Sequence, residues 1–224
     1  MLRLALDTST RLGGVALGED ARLLAESCLS VRATHSETVL PEVRRLLRRA
    51  DREIDEVEEI VVGSGPGSFT GVRIAASLAK GLCAATGARL SAFSSLAAVA
   101  AGTGLASRVC VLFEARRDEL YGAGYETTSP LSARFGPAVL RVEEALEACG
   151  DPDGWAFAGG GAISHRDALE DRGGRVLSPL HEAPRAGALL ALAVDQPGAG
   201  TVDDPAAWEP GYVRASGAER GAVG

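Results

Sequence analysis

Lysine is nearly missing from this chain of 224 residues: it occurs once, at Lys80, and arginine carries the other positive charges. Acidic residues outnumber basic ones, 30 to 23, which leaves a net charge of −7. A surface of that balance does not by itself recruit nucleic acid. Cysteine is sparse and scattered. Cys28, Cys83, Cys110 and Cys149 form no Cys-x-x-Cys pair, and three of them sit in apolar runs. They read as buried free thiols in a reducing cytosol, which argues against a disulfide framework or a metal knot. The three histidines, His35, His165 and His181, include no pair four residues apart, so no helical two-histidine metal site is predicted. No long apolar run exists either. The longest uncharged stretch, between Arg89 and Arg108, is rich in Ser, Gly, Thr and Ala and is too polar for a membrane span. The first residues read as a strand ending at Asp7, too short for a secretion signal. A soluble, cytoplasmic protein is expected, and 46% apolar residues suffice for a substantial core.

What is present in abundance is glycine at one place. Ile60, Val61 and Val62 run as a strand into a turn built from Gly63, Gly65, Pro66 and Gly67. Ser68 is a good helix cap, and an alanine-rich helix follows. Backbone N–H groups gather where such a turn opens a helix, and anions favour that position. Yet no Lys-Ser/Thr follows the glycines, so this is not a P-loop. Ser68 stands where the dinucleotide fingerprint needs its third glycine. Ser68 also lacks the flanking glycines of a nucleophile elbow, which speaks against a serine hydrolase built with His35 as base. A rigid turn without a catalytic side chain points to a scaffold.

Hydrophobic periodicity predicts strands over 2–8, 14–18 and 22–28 as a meander, a helix over 36–50, strand 58–62, helix 68–86, strand 89–93 and helix 94–102. The order then starts again. Strands are predicted over 108–114, 119–126 and, more weakly, 131–140, with helix 142–149 and strand 154–158 behind them. Gly159-Gly160-Gly161 leads to helices 162–171 and 185–194. Thr34 and Glu37 suggest a capping box. Pro41 is expected to kink or delay the first helix. The repeated β-β-β-α-β-α order gives an α/β protein with the duplicated ribonuclease-H-like architecture of the actin-like ATPases, in two lobes. The lobes are placed at 1–104 and 105–200. A tail over 201–224 follows, its last ten residues expected to be disordered.

Several stretches resemble one family. They are Leu4-Ala-Leu-Asp-Thr-Ser-Thr10, His35-Ser-Glu with Leu40-Pro41, and Gly63-x-Gly-Pro-Gly-Ser-Phe-Thr-Gly-x-Arg-Ile74. Glu114-Ala-Arg-Arg-Asp-Glu-Leu-Tyr121 and Glu209-Pro-x-Tyr-Val-Arg214 continue the match. Together they resemble the TsaB family over essentially the whole chain, the glycine motif being the most specific. One departure is Glu114, where the family usually has Asp. The resemblance implies a non-catalytic paralogue of the transferase TsaD. In that system a separate enzyme makes threonylcarbamoyl-adenylate, and TsaD moves the threonylcarbamoyl group to an adenosine beside the tRNA anticodon. The implied partners are a TsaD-type transferase and a TsaE-type ATPase, with tRNA met only through the complex. No cofactor, no metal and no catalytic residue is expected in this chain. The alternative is an ATP-dependent phosphotransferase of the same fold.

Two spots are weighed as a vestigial nucleotide site. Asp7 and Ser9 stand at the end of strand one, where active members of the fold hold a metal and phosphate. A turn that satisfies its own backbone is preferred there. Gly159 and Gly160 stand where the ATPases approach adenosine, and an ordinary glycine turn explains them equally well. Helix 68–86 is apolar nearly all round and must be covered on two sides. Gly71, Ala75, Ala79 and Cys83 form a small-residue ridge. The stripe of Val39, Val43 and Leu46 on helix 36–50 either covers it within the chain, or both helices meet a partner. The resemblance implies dimer interfaces on these two helices. That places Val39, Val43, Leu46, Gly71, Val72, Ala75 and Ala79 at an interface, with the transferase or in a homodimer. Arg44, Arg45, Arg48 and Arg49 form a basic run on the same first helix, read as a solvated face rather than a tRNA contact.

Overall fold

A computed structural model describes residues 1–30, 35–104, 106–211 and 213, with the side chains of Leu29, His35, Ser36 and Glu37 excepted. β1 (Leu2–Asp7), β2 (Leu12–Glu19) and β3 (Arg22–Ser30) form an antiparallel meander. β4 (Glu59–Gly63) pairs with β1 in parallel, and β5 (Arg89–Phe93) continues in parallel beyond it. β6 (Arg108–Glu114), β7 (Leu120–Glu126) and β8 (Ser132–Leu140) repeat the meander. β9 (Ala156–Ala158) and β10 (Arg175–Val176) repeat the parallel pair. The strand orders are β11-β5-β4-β1-β2-β3 and β10-β9-β6-β7-β8. Apart from the added β11 (Thr201–Val202), the two sheets have one topology. This is the duplicated ribonuclease-H-like architecture that the element order predicted.

Strand alternation assigns the faces. Leu2, Leu4 and Leu6 of β1 pack with α1 (His35–Arg49) and α2 (Phe69–Thr86) on the outer face of the first sheet. Ala5, with Ala16 and Val61, meets α7 (Ala186–Asp195) on the other face. In the second sheet Cys110 and Leu112 face α4 (Val142–Cys149), α5 (Gly160–Ser164) and α6 (Arg166–Glu170). Val109, Val111 and Phe113 face α3 (Ser95–Thr103). β4 is buried along its whole length, as a central parallel strand must be.

The inner helices are exchanged. α3 follows β5 of the first sheet, yet its Leu96, Val99 and Ala100 pack on the second. α7 follows β10 of the second sheet, yet its Leu189 and Leu190 pack on the first. The expected boundary at residue 104 therefore separates strands but not cores. The tail also belongs to the first lobe: β11 pairs with β5, and Trp208 packs against the α1–α2 core.

α1 begins at His35 and runs through Pro41, so the proline does not delay it. The capping box of Thr34 with Glu37 and the last ten residues lie outside the described residues. The third helical stretch divides at His165 into α5 and α6. Cys83, Cys110 and Cys149 are buried and Cys28 is exposed, all as free thiols. Hydrogen bonding to Cys149, with burial, pushes the Cys110 thiol well up. Among the described residues no helix is long and apolar enough to cross a membrane.

Candidate functional site

The glycine motif is explained by the loop it covers. Thr8 Oγ1 donates to the Gly71 carbonyl at 2.6 Å, and the Ser68 N–H donates to the Ser9 carbonyl at 2.7 Å. A Cβ on Gly71 would stand 1.9 Å from the Thr8 carbonyl oxygen, so only glycine allows the approach. Ser68 also caps α2, its Oγ accepting the Gly71 N–H at 3.3 Å. The turn and the β1–β2 loop are thus stitched face to face. Of the backbone that the sequence pattern offered to an anion, the Ser68 and Gly71 N–H groups are spent inside the chain.

Asp7 behaves the same way. Its side chain is fully buried. Oδ1 accepts the Ser9 N–H at 2.7 Å and the Ser9 hydroxyl at 2.6 Å. Oδ2 accepts the Ser95 hydroxyl at 2.6 Å. A buried carboxylate needs such donors. Ser95 was not singled out in the sequence, although Ser94-Ser95 at the end of β5 is a recognisable helix start, and Ser94 caps α3. Ser95 closes the link, because its N–H donates to the Gly65 carbonyl at 2.8 Å and its Oγ accepts the Gly65 N–H at 3.1 Å.

The second glycine turn is consumed in parallel fashion. Gly159 has φ +96°, and a Cβ there would meet the Leu112 carbonyl oxygen at 2.3 Å. The Gly159 and Gly160 N–H groups donate to the His181 and Glu182 carbonyls at 2.9 and 3.0 Å. Of the four residues weighed as a nucleotide site, Ser9 and Gly160 line a cleft between the lobes, while Asp7 and Gly159 lie behind its wall.

That cleft has a volume of about 980 Å³. Ser9, Phe69 and Arg73 line it from the first lobe, Glu114, Tyr121 and Ser164 from the second. The Arg73 guanidinium lies 4.0 Å from the Phe69 ring centroid. Glu114 accepts the Ser164 hydroxyl at 2.6 Å, so the longer acid at this position has a partner across the wall. Gly211 and Val213 reach the cleft as well, which brings the tail motif to the other motifs. His165 Nδ1 lies 3.0 Å from the Gly161 carbonyl, a contact within its own turn. Among the described residues no group of three His, Cys, Asp or Glu side chains is arranged to hold a metal.

The seven residues expected at an interface are all buried within the chain itself. Val39, Val43, Leu46, Val72, Ala75 and Ala79 are each 3% exposed or less, and Gly71 is buried. The α1 stripe and the α2 ridge share one core cluster with the sheet. The two covers that an all-apolar helix needs are therefore both internal. Partly exposed apolar residues of the same helices, Leu40, Ile74, Leu78 and Leu82, stand beside the ridge. In the basic run Arg44, Arg48 and Arg49 are exposed, whereas Arg45 Nε donates to both oxygens of Glu42 at 2.9 Å.

Comparison with known proteins agrees with these motifs. The model of the family described as "TsaD: tRNA N6-adenosine threonylcarbamoyltransferase" matches residues 25–166. The chain is 33% identical to the Bacillus subtilis tRNA threonylcarbamoyladenosine biosynthesis protein TsaB over 174 residues, 76% of each chain. It belongs to the TsaB family. The Escherichia coli TsaB protein is 32% identical over 190 residues, covering 80% of this chain and 82% of its own. The structure titled "YeaZ from Pseudomonas aeruginosa" superposes with a TM-score of 0.79 at 30% identity, over 94% of this chain and 99% of that one. A more distant likeness, at 9% identity and a TM-score of 0.53, is to the activator of the 2-hydroxyisocaproyl-CoA dehydratase from Clostridium difficile, solved with bound ADPNP. It shows the shared fold alone. Within the TsaB fold of this chain, the glycine motif has a structural office: it seals the loop that carries Asp7.

Proposed function

We propose that this chain acts in the synthesis of threonylcarbamoyladenosine on tRNA, as a non-catalytic partner of a TsaD-type transferase in the cytoplasm. The names of its relatives supply the pathway. One observation carries the non-catalytic part: the Asp7–Ser9 loop and the Gly159–Gly160 turn spend their polar groups on the chain itself. The transferase, or a second copy of this chain, docks on the outward side of α1 and α2 around Leu40, Ile74 and Leu78, beside the buried ridge. A TsaE-type ATPase completes the assembly. The test is reconstitution. The pure chain, given threonylcarbamoyl-adenylate and unmodified tRNA, should form no modified adenosine. Product should appear when the transferase and ATPase are added, and decline when this chain is left out. Modified adenosine from the pure chain alone would refute the reading.

A further inference from the structure

We propose that the cleft between the lobes receives an extended acidic segment of the transferase. The inference rests on the reading above that the transferase docks on α1 and α2. The cleft volume of about 980 Å³ is what remains beside the chain's own tail, since Gly211 and Val213 form part of the wall. Arginine gathers there against the trend of the chain. Arg11, Arg73 and Arg116 line the cleft with two carboxylates, Glu114 and Glu182, whereas acids outnumber bases 30 to 23 overall. Glu114 is already turned to the Ser164 hydroxyl. The duplication accounts for two of the three arginines. The β1–β2 and β6–β7 hairpins are equivalent in two sheets of one topology. Each brings an exposed arginine to the cleft, Arg11 from the first lobe and Arg116 from the second. Among the described residues neither of these two forms an ion pair.

A small phosphate ligand is the other natural occupant of such a cleft, and the bonding disfavours it. Asp7 lies behind the wall, and the Ser68, Gly71, Gly159 and Gly160 N–H groups are bonded within the chain. What the cleft offers is side chains: guanidinium forks from both lobes and the Phe69 ring, 44% exposed. That combination suits a chain segment that carries carboxylates and apolar side chains. Continuity names its source. Phe69 and Val72, in the first turn of α2, line the cleft, and Ile74 and Leu78 of the same helix lie on the docking face. From Leu78 to Phe69 is ~13 Å along the helix axis. About four residues of extended chain span that distance, so a transferase seated on the docking face reaches the cleft without a long excursion. On a chain of net charge −7 an acidic segment is repelled elsewhere, so the arginines also fix where it lies.

The experiment uses the full chain and the purified transferase. The double variant Arg11→Gln, Arg116→Gln should keep the wild-type melting temperature, because both side chains are exposed. Its affinity for the transferase should fall by roughly threefold to tenfold at low salt, and the deficit should shrink as salt screens the charges. A second variant, Phe69→p-benzoylphenylalanine, places a photoreactive group in the cleft. Irradiation of its complex should join it to the transferase, at a stretch rich in Asp and Glu when the cross-linked peptide is sequenced. Unchanged affinity and salt dependence in the folded double variant would overturn the proposal. So would a cross-link, in the assembly with ATPase and tRNA, that goes to either of those, or to a transferase stretch without carboxylates. No cross-link in a complex that still forms would do the same. A wild-type chain that does not associate with the transferase at all would refute the functional reading itself, and the proposal with it.

Discussion

Replacing Gly71 by alanine should destabilise this protein, although glycine-to-alanine changes in helices usually do the reverse. In a helix interior alanine is favoured by up to ~1 kcal/mol. Gly71 sits in the first turn of α2, where that gain is smaller. Its new methyl carbon would start 1.9 Å from the Thr8 carbonyl oxygen, a backbone atom that cannot swing away, and must end beyond 3.0 Å. Overpacking of this kind costs about 1–3 kcal/mol. The same displacement strains the Thr8–Gly71 and Ser9–Ser68 hydrogen bonds, each worth roughly 1 kcal/mol net. The expected loss is about 2–4 kcal/mol, and for a chain of this size the melting temperature should fall by roughly 5–10 °C. Gly81 is the internal control. It lies in the same helix, and nothing stands within 4 Å of its absent Cβ. Gly81→Ala should raise the melting temperature by about 2 °C. Thermal melts of both variants, followed by circular dichroism on the isolated chain, give the answer. A Gly71→Ala protein that melts at or above the wild type would refute the claim that the motif glycine exists for close approach to the loop.

Ala79→Arg should unfold the monomer rather than merely release a partner. Ala79 is fully buried beside Val43 and Leu46, and an unpaired charge there costs several kcal/mol; a folded variant that only loses transferase capture would show the ridge to be surface. The Glu42–Arg45 pair should make stability depend on acid. The hydrogen bond from Arg45 holds the Glu42 carboxyl below its usual range, against burial that acts the other way. A lowered folded-state pKa stabilises above the unfolded value of ~4.3 and ceases to do so as pH falls through the folded one. Denaturant melts of Glu42→Gln should therefore lose less stability than wild type below about pH 4.3. Parallel acid limbs would count against the pair.

The sequence alone determined the element order and its duplication. Apolar alternation in β1 to β3, the buried run Ile60–Val62 and the 3.6-residue stripe of α1 are local signals, and each survives in the structure because nearest neighbours along the chain set them. The family was legible for the same reason: its motifs are contiguous. Two-residue strands such as β10 and β11 were not legible, because a segment that short is defined by the strand it pairs with. The sequence also showed that α2 has no polar face, but not what covers it. Burial is a property of distant partners, and only the tertiary structure placed Val39, Val43 and Leu46 against Ala75 and Ala79 within one chain. The exchange of α3 and α7 between the sheets was invisible for that reason as well. The role of Asp7 was legible in part. A turn that satisfies itself is the preferred reading of the sequence there, and Ser9, 2 residues away, fits it. Ser95, 88 residues away along the chain, could only be found in the tertiary structure.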